Sequence, residues 1–352
     1  MSTALFLTYF FALAFGALLT YTVRKKLLAR AIMDIPNDRS MHKEPVPRGG
    51  GLAIMGVVAA GLLLFSPVAF DGTLADPLNF HWAMPRVSSL ILLLSICLLV
   101  SVSWLDDKRP LSPALRLAVH LLAAFVGSFA LPDTFLLFGG LLPAALDRIA
   151  MVLGWAWFMN IYNFMDGIDG LTGVQTVAVV TGVAALFWGL EIFQPSALHH
   201  DLLLCALVAG ATGGFLAFNW PPAKIFMGDV GSIPLGFLIG YLLLKLASLG
   251  FLAAAIILPL YYLADSAITM GRRALKREKI WQAHRQHFYQ RATLGEGRPK
   301  PVVIKILIAD FLLFGAALLS MTNPWLGLGL GVMIVILLLL SLSLSAKKAK
   351  KI

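Results

Sequence analysis

A short acidic turn interrupts an otherwise apolar part of the chain. The sequence NFMDGIDGLTG places Asp166 and Asp169 directly after an apolar run, residues 149–161. Together with Asn160 and Asn163, the two aspartates recur every three residues, so a continuing helix would carry all four on one flank. A polar helix corner with packing glycines is the alternative. Four polar side chains in this register favour a ligand-binding site.

Two further motifs add carboxylates at predicted helix ends. WLDDKRPLSP places Asp106 and Asp107 at a helix exit, directly before Lys108, and PPAKIFMGDVGS places Asp229 between two glycines ahead of the next apolar run. A solvated helix end and a helix N-cap are the simpler explanations of these two motifs. Carboxylate oxygens are also the ligands that Mg²⁺ prefers, commonly one or two together with substrate phosphates.

A basic motif near the C-terminus could contact phosphate oxygens. AHRQHFYQR places His284 and His287 three residues apart, with Arg285 and Arg291 alongside. Such side chains donate charge-assisted hydrogen bonds to phosphate. A basic amphipathic helix that lies on anionic lipid headgroups is the alternative explanation.

A second polar segment precedes three consecutive glycines. DIPNDRSMHKEPVPRGGG offers Asp34, Arg39, His42 and Arg48 as candidate ligand contacts. Taken alone, the segment is explained as a loop followed by a glycine-rich helix start. Its position relative to the other motifs decides whether it belongs to a site.

Composition predicts an integral membrane protein. The 352 residues are 59% hydrophobic and 13% charged, with a mean hydropathy of +0.85, and a soluble domain needs more charge to cover its surface. Apolar runs approaching the roughly 20 residues that span a bilayer occur at 3–23, 49–70, 87–105, 117–131, 149–165, 171–190, 202–220, 233–249, 251–270, 306–321 and 325–346. We therefore expect a single all-α polytopic domain of ten or eleven transmembrane helices, with 132–146 as a re-entrant or surface segment.

The distribution of basic residues predicts the orientation of this domain. With the N-terminus outside, 25 of the 28 lysines and arginines fall in inner segments or in the C-terminal tail. This bias predicts a periplasmic N-terminus and a cytoplasmic C-terminus. The net charge of +10 then attracts anionic lipids and phosphorylated ligands, and nucleic acid is a poor explanation for it. The predicted cytoplasmic loops are 24–48, 106–116, 163–172, 220–232 and 271–305.

On this topology the five motifs all lie at one membrane face. Asp265 and Asp310 are the only aspartates predicted within a span, and each is close to its inner end. A transporter would be expected to place ionisable groups near the bilayer midplane. Carboxylates for a metal and basic groups for phosphates at one interface predict metal-assisted phosphoryl transfer on a membrane-associated substrate.

Four strings in this order resemble a known enzyme family. DDKRPLSP, NFMDGIDGLTG, AKIFMGDVGS and HRQHFYQR resemble motifs of the polyprenyl-phosphate N-acetylhexosamine-1-phosphate transferases of glycosyltransferase family 4. This family includes undecaprenyl-phosphate GlcNAc-1-phosphate transferase and phospho-MurNAc-pentapeptide translocase. The resemblance runs from about Asp34 to Arg291, which is most of the chain.

The resemblance implies a ten- or eleven-helix bundle in the bacterial inner membrane with a cytoplasmic active site. It implies transfer of a sugar 1-phosphate from a UDP-sugar to undecaprenyl phosphate, with release of UMP. It also implies a requirement for Mg²⁺, for which Mn²⁺ could substitute. The oligomeric state is left open, a homodimer included.

The resemblance also implies roles for individual residues. The residues implied in catalysis are Asp106, Asp107, Asp229, His284 and His287. Those implied in Mg²⁺ binding are Asp229, as the main ligand, Asp107 and Asp166. Those implied in nucleotide binding are Asn163, Asp166, Asp169 and Phe226, whose ring would stack on uracil. Those implied in contacts with phosphates or sugar, in addition to the two histidines, are Asn160, Lys108, Arg285, Arg291 and Arg48.

The sequence departs from the peptidoglycan enzyme at one motif. That enzyme carries consecutive histidines in its late loop, whereas this chain has His-Arg-Gln-His. The difference favours UDP-GlcNAc or a 6-deoxy-HexNAc donor, such as QuiNAc or FucNAc, and initiation of O-antigen or another envelope polysaccharide. Phospho-MurNAc-pentapeptide transfer, a lipid or solute transporter and an inactive polyprenyl-phosphate-binding scaffold are the alternatives. Direct attack by the lipid phosphate and a covalent two-step route both remain open.

Overall fold

Helices form almost all of the described structure. The computed structural model describes residues 2–36, 41, 44–65, 68–69, 81–82, 87–191, 198–279 and 284–348. The helices of this part are α1 (Ser2–Ala29), α2 (Gly51–Phe65), α3 (Val87–Lys108), α4 (Pro113–Ser128), α5 (Ala144–Phe164), α6 (Leu171–Glu191), α7 (His199–Asn219), α8 (Asp229–Ser248), α9 (Leu252–Ile257), α10 (Leu260–Leu275), α11 (Phe288–Glu296), α12 (Lys300–Ser320) and α13 (Pro324–Lys348). Two short antiparallel hairpins pair β1 (Met33–Asp34) with β2 (Val46–Pro47) and β3 (Val68–Ala69) with β4 (His81–Trp82).

The apolar helices match the runs found in the sequence. In the described part of the chain, seven helices are long and apolar enough to cross a membrane: α1, α3, α6, α7, α8, α12 and α13. Helices α2 and α4 are shorter apolar helices, and α5 covers the fifth predicted run. The prediction of an all-α polytopic membrane protein is confirmed. The orientation of its termini remains a prediction.

The predicted span at 251–270 is two helices instead of one. Helix α9 ends at Ile257, and α10 begins at Leu260. Pro259 lacks an amide hydrogen and its ring obstructs the preceding turn, so the helix stops and restarts there. The second helix, α10, carries Asp265 into the protein interior, where its side chain is fully buried.

Two segments outside the predicted spans also have definite structure. Residues 132–143 form turns, which are held because the carboxylate of Asp147 accepts hydrogen bonds from the amides of Leu137 (2.8 Å) and Phe138 (2.9 Å). Within the predicted loop 271–305, α11 forms a short helix that packs against α13.

Helix α8 lies at the centre of the bundle and begins with Asp229. Most of its apolar length is buried, and it packs against α3, α5 and α6. The indole of Trp155 on α5 stacks on Phe237, with 4.8 Å between ring centroids, and donates a hydrogen bond to the Phe237 carbonyl (3.0 Å). The packing that holds α8 therefore also fixes where the carboxylate of Asp229 emerges.

The first turns of α2 and α8 meet at a contact between two glycines. A Cβ atom added to Gly51 would overlap the backbone of Gly231. Glycine at both positions therefore allows the two helix ends to touch. This contact holds the residues that precede α2 beside the first residue of α8.

Gly51→Ala is expected to destabilise the protein by about 1–3 kcal/mol, because the added methyl group must push the two helix ends apart. Thermal unfolding in detergent measures the change. Gly315→Ala is the matched control, because Gly315 lies within α12 with open space where its Cβ would be. A melting temperature of Gly51→Ala equal to that of the control would contradict the close contact.

Candidate active site

Backbone hydrogen bonds hold the segment before α2 along the loop before α8. The amide of Phe226 donates to the carbonyl of Pro47 (2.8 Å), and the amides of Gly49 (3.2 Å) and Gly50 (2.8 Å) donate to the carbonyl of Phe226. Arg48 and Phe226 are paired as an isolated parallel bridge. The N-terminal polar motif and the FMGD motif, far apart in sequence, therefore lie side by side.

Arg48 is shared between carboxylates from three parts of the chain. Its Nη2 lies 2.7 Å from Asp229 Oδ1 and 3.2 Å from Asp107 Oδ1, and its Nη1 lies 4.0 Å from Asp34 Oδ2. Burial acts to lower the pKa of Arg48, but the carboxylates of Asp229, Asp107 and Asp34 outweigh it and raise the pKa above its ordinary value. One guanidinium thus draws together the end of α3, the start of α8 and strand β1.

Asp166 belongs to the same electrostatic cluster. It lies in the turn between α5 and α6 and is hydrogen-bonded to the Thr172 side chain. Burial is the main cause that raises the pKa of Asp166 to about 7. The charge of Asp229 adds to this rise, whereas the Thr172 hydrogen bond and Arg48 oppose it. An added cation would stabilise the charged form of this carboxylate.

Asn163 connects the end of α5 to the first turn of α8. Its Nδ2 donates to Ser232 Oγ (3.0 Å), and Ser232 Oγ donates to the carbonyl of Gly228 (3.3 Å). The N-cap of α8 is Gly228, with φ of 75°, and no side chain caps the helix. The N-cap explanation for Asp229 is therefore wrong, and its carboxylate faces Arg48 instead.

Asp169 and Asn219 bind the loop before α8 to the acidic turn. The Ala223 amide donates to Asp169 Oδ2 (2.9 Å). Asn219 accepts from the Gly170 amide (3.0 Å) and donates to the carbonyl of Ile225 (2.9 Å). The role predicted for Asp169 in nucleotide binding remains a prediction, and the structure adds a contact that shapes the loop carrying Phe226.

Two other predicted site residues, Asp106 and Asn160, form hydrogen bonds with α4 or with the turn that precedes it. Asp106 accepts from the Leu111 amide (2.6 Å) and from Arg116 Nη1 (3.1 Å), which fixes the turn from α3 to α4. Asn160 donates to His120 Nδ1 (3.1 Å) on α4. The adjacent aspartates therefore diverge, because Asp107 faces Arg48 whereas Asp106 faces α4. The substrate contacts predicted for Asp106 and Asn160 remain predictions.

The two histidines form a stacked pair at the start of α11. Their ring centroids are 4.9 Å apart with 27° between the planes. Burial, followed by the proximity of His287 and Arg273, lowers the pKa of His284 to about 4, so this ring is neutral at pH 7. His287 is buried, and its Nδ1 lies 3.0 Å from Asp265 Oδ1.

Tyr289 connects this histidine pair to the acidic turn. Its hydroxyl donates to the carbonyl of Phe164 (3.0 Å) at the end of α5. A Cβ atom at Gly167 would overlap that hydroxyl, so this glycine admits a tyrosine from another segment. The histidine segment consequently packs against the turn that contains Asp166.

The remaining predicted residues are only partly described. Phe226 and Arg285 are half-buried, and Arg291 is exposed. Arg39, His42 and the side chain of Lys108 lie outside the described part of the structure. Their predicted contacts with uracil, phosphate or sugar remain predictions.

The carboxylates around Arg48 suit a hard divalent cation. Among the described residues, no three His, Cys, Asp or Glu side chains form a group that could hold a metal ion. Mg²⁺ does not require such a cage, because it commonly takes one or two carboxylates and completes its shell with water and substrate phosphates. Asp107 and Asp229, whose oxygens approach the same guanidinium nitrogen, provide such a pair. The donor set therefore fits Mg²⁺.

Sequence reasoning missed two residues that hold the site together. Asn219 was not singled out, because a single asparagine at the end of an apolar run carries no pattern. Asp265 was noted only as an acid within a span. A buried ionisable residue in a membrane helix is itself a signal of function, and that signal pointed to Asp265.

Comparison with known proteins finds a family model that matches the central part of the chain. The model of glycosyl transferase family 4 matches residues 89–247. This region runs from α3 into α8 and includes Asp107, Asp166 and Asp229. The match covers less than half of the chain and shows that this region is similar to glycosyl transferase family 4. Arg48, Asp265 and the two histidines lie outside the region that the family 4 model matches.

This chain is similar to proteins that carry transferase names. It is 28% identical over 330 residues to a probable undecaprenyl-phosphate N-acetylglucosaminyl 1-phosphate transferase of Bacillus subtilis, covering 88% of this chain and 84% of that protein. A decaprenyl-phosphate N-acetylglucosaminephosphotransferase of Mycobacterium tuberculosis is 25% identical over 342 residues, which cover 88% of this chain and 82% of that protein. A phospho-N-acetylmuramoyl-pentapeptide-transferase of Streptococcus uberis is 33% identical over 153 residues, which cover 38% of this chain and 43% of that protein. The match to the first two extends over much more of the chain.

Asn219→Ala is expected to release the loop before α8 from the acidic turn. The substitution leaves the Gly170 amide and the Ile225 carbonyl unpaired in a buried place, at a cost of about 1–3 kcal/mol. Hydrogen exchange of the Gly170 amide and of residues 220–228 should accelerate.

Asn323→Ala provides the control for this loop. Asn323 also accepts a hydrogen bond from a backbone amide, that of Leu326 (3.1 Å), but it is exposed and precedes α13. Exchange in the loop should be unchanged in this variant. Equal exchange in both variants would show that Asn219 does not hold the loop.

Proposed function

We propose that the protein transfers an N-acetylhexosamine 1-phosphate from a UDP-sugar to undecaprenyl phosphate or another polyprenyl phosphate, with release of UMP. GlcNAc and 6-deoxy-HexNAc sugars are the proposed donors. The observation that carries the proposal is the convergence of Asp107, Asp166 and Asp229 around Arg48 in a membrane protein whose residues 89–247 match the family 4 model. The names of the relatives that match most of the chain agree with this reaction.

The reaction must overcome repulsion between two anionic substrates. A phosphomonoester carries about −1.5 to −2 charges at pH 7, and it attacks a diphosphate that is also anionic. At ~5 Å and an effective dielectric constant of ~20, each pair of unit charges repels by roughly 3 kcal/mol, so several pairs reach on the order of 10 kcal/mol. A site for this reaction must supply positive charge where the phosphates meet.

The chain has residues for this task. Asp107 and Asp229 would hold Mg²⁺, with Asp166 close enough to influence both Asp229 and Arg48 electrostatically. When bound, the ion would neutralise diphosphate charge and polarise the phosphorus that is attacked. Arg48, already placed among these carboxylates, would turn to the substrate phosphates. The histidines of the α11 segment would contact phosphate from the side opposite the acidic turn.

Direct attack requires little proton transfer from the acceptor. With a second pKa near 6, the lipid phosphate is mostly a dianion at pH 7. Its oxygen would attack the β-phosphorus of the UDP-sugar, and the bond from that phosphorus to the bridging oxygen would break, so that UMP leaves. A carboxylate that attacked first would instead form an acyl-phosphate enzyme and give ping-pong kinetics.

We place the reaction at the cytoplasmic face of a bacterial inner membrane. The support is the basic character of the end of the molecule that holds the site, where Arg24 of α1 donates to the Lys224 carbonyl in the loop before α8 (3.1 Å). The reaction would supply a lipid-linked sugar for O-antigen or other envelope polysaccharide synthesis.

The broken helix at 258–259 is a feature that transporters share. Asp265, which lies in α10 after this break, differs from the ion-binding acid of a transporter. Its carboxylate accepts hydrogen bonds from five protein groups. A carboxylate used in this way suits a structural or positioning role better than reversible ion binding.

Purified protein in detergent with Mg²⁺, undecaprenyl phosphate and a set of UDP-sugars tests the proposal through UMP release. The set includes UDP-GlcNAc, UDP-QuiNAc, UDP-FucNAc and UDP-MurNAc-pentapeptide. UMP formed only when lipid phosphate and one HexNAc donor are both present supports the proposal. Turnover of the pentapeptide donor alone would assign the peptidoglycan reaction, and no UMP from any donor would reject the function.

Asp229→Asn is expected to lower UMP release at least about 1,000-fold while the protein still folds, because the main proposed Mg²⁺ ligand loses its charge. Asp133→Asn is the control, because Asp133 is an exposed aspartate in the turns before α5. Size-exclusion profiles of both variants should match the wild type. Full activity of Asp229→Asn would remove the metal assignment.

Arg48→Gln is expected to lower stability in EDTA by about 1–2 kcal/mol, because partly exposed carboxylates lose their shared counterion. Mg²⁺ at millimolar concentration should then raise the melting temperature more than it does in the wild type, since the ion no longer competes with a guanidinium. Differential scanning fluorimetry measures both effects without substrate.

Arg116→Gln is the control for the Arg48 measurement. Like Arg48, Arg116 forms an ion pair at the end of α3, but its partner is Asp106 (3.1 Å), on the side that faces α4. Its response to Mg²⁺ should equal that of the wild type. A Mg²⁺ response of Arg48→Gln no larger than this would show that arginine and cation do not share a site.

A further inference from the structure

Asp265 is a fully buried carboxylate surrounded by hydrogen-bond donors. It lies on α10 at the N-terminal end of α11, where free backbone amides favour negative charge. The donors are Tyr261 Oη (3.1 Å), Thr269 Oγ1 (3.1 Å), His287 Nδ1 (3.0 Å) and the amides of Phe288 (3.1 Å) and Tyr289 (3.3 Å). Both carboxylate oxygens of Asp265 therefore accept hydrogen bonds from the protein itself.

The environment of Asp265 determines the state of the His287 ring. Because the carboxylate can only accept, the proton on this side of the ring belongs to Nδ1. The other ring nitrogen, Nε2, is buried and has no hydrogen-bond partner among the described residues. An unpaired polar atom in a buried place is costly unless a ligand completes it.

The position of α11 relates this nitrogen to the acidic turn. His287 stacks on Tyr289 at 5.7 Å between ring centroids, and Tyr289 bonds to the end of α5 just before Asp166. The ring of His284 also stacks on the ring of His287, with 4.9 Å between centroids. The ring is thus fixed by Asp265 at one nitrogen and by aromatic contacts on its faces, which leaves Nε2 for a substrate.

We propose that Asp265 is a positioning residue that fixes the tautomer and orientation of His287, so that Nε2 binds a phosphate oxygen of the substrate. As the anionic substrate binds, Nε2 takes up a proton from bulk water and donates it in a charge-assisted hydrogen bond to that oxygen. The Asp265 carboxylate stabilises the resulting imidazolium. This role rests on the proposed transfer reaction, but the state of the ring can be measured without it.

The ring state is tested by ¹⁵N NMR of histidine-labelled wild-type protein in nanodiscs, with the His287 signals assigned by His287→Gln. Without substrate, His287 should show a protonated Nδ1 and an unprotonated Nε2. Addition of UDP-GlcNAc with Mg²⁺ should shift Nε2 to the protonated type. A proton on Nε2 instead of Nδ1 in the free protein, or no change in the ring with a bound donor, overturns the proposal.

Kinetics of single and double variants distinguish two roles of Asp265, positioning of the His287 ring and anchoring of α11. Asp265→Asn keeps the shape and loses the charge, and it should lower kcat on the order of 100-fold. In a His287→Gln background, the same substitution should lower kcat by no more than about 2-fold, because Asp265 acts through a ring that is no longer present. Independent, multiplicative losses would show that Asp265 only holds the helix.

Tyr261→Phe is the matched control for both measurements. It removes one donor to Asp265 and leaves the contact between Asp265 and His287 in place. If Asp265 acts by fixing the tautomer, kcat should stay within about 2-fold of the wild type. The ¹⁵N pattern of His287 should be unchanged. A loss as large as that of Asp265→Asn would overturn the proposal. If Asp265→Asn does not fold, as judged by size exclusion, the wild-type NMR result decides alone.

These tests distinguish the two proposals from each other. If no UDP-sugar yields UMP in the wild type, the proposed function fails, and the unbound ring state still reports whether Asp265 sets the His287 tautomer. If UMP is formed but Nε2 carries the proton in the free protein, the transfer reaction stands and the positioning role is rejected.

Discussion

The structure depends on one shared charge interaction, the guanidinium of Arg48 between Asp107 and Asp229. Without a cation, these carboxylates would repel each other where α3 ends and α8 begins. Arg48 reaches them because backbone bonds hold residues 47–50 against Phe226 and because glycines let α2 touch α8. The chain thus supplies its own counterion to the carboxylates that we propose as Mg²⁺ ligands.

Two layers of contacts surround this interaction. The acidic turn is bonded to the loop before α8 through Asp169 and Asn219, and the α11 segment is bonded to the same turn through Tyr289. The acidic turn thus contacts both the carboxylate cluster around Arg48 and the segment that carries the histidines. The proposed diphosphate donor would use both, because its metal-binding oxygens and its remaining phosphate oxygens require partners of opposite character. Buried Asp265 supports the histidine side in the way that α8 supports the acidic side.

The predictions from sequence succeeded where a pattern is local. Apolar runs predicted the helices because each span must satisfy its own backbone hydrogen bonds in lipid. The pattern failed at Pro259, where a single residue breaks a continuous apolar run, and it could not distinguish Asp106 from Asp107. Adjacent aspartates on a helix point about 100° apart, so only the positions of Arg48 and Arg116 decide which carboxylate faces which partner.

By itself, the sequence determined a polytopic helical membrane protein and its resemblance to a known family, because hydropathy and contiguous motifs are properties of short segments. It also identified most of the polar side chains near the site. Only the tertiary structure decided that Arg48 is the counterion of Asp107 and Asp229, that Asn219 bonds to the loop before α8 and that Asp265 contacts His287. These contacts of Arg48 and the bond between Asn219 and Gly170 join residues more than 40 positions apart. Asp265 and His287 are 22 positions apart, and they meet because α11 folds back onto α10. Such contacts are set by how helices pack, which no single stretch of sequence encodes.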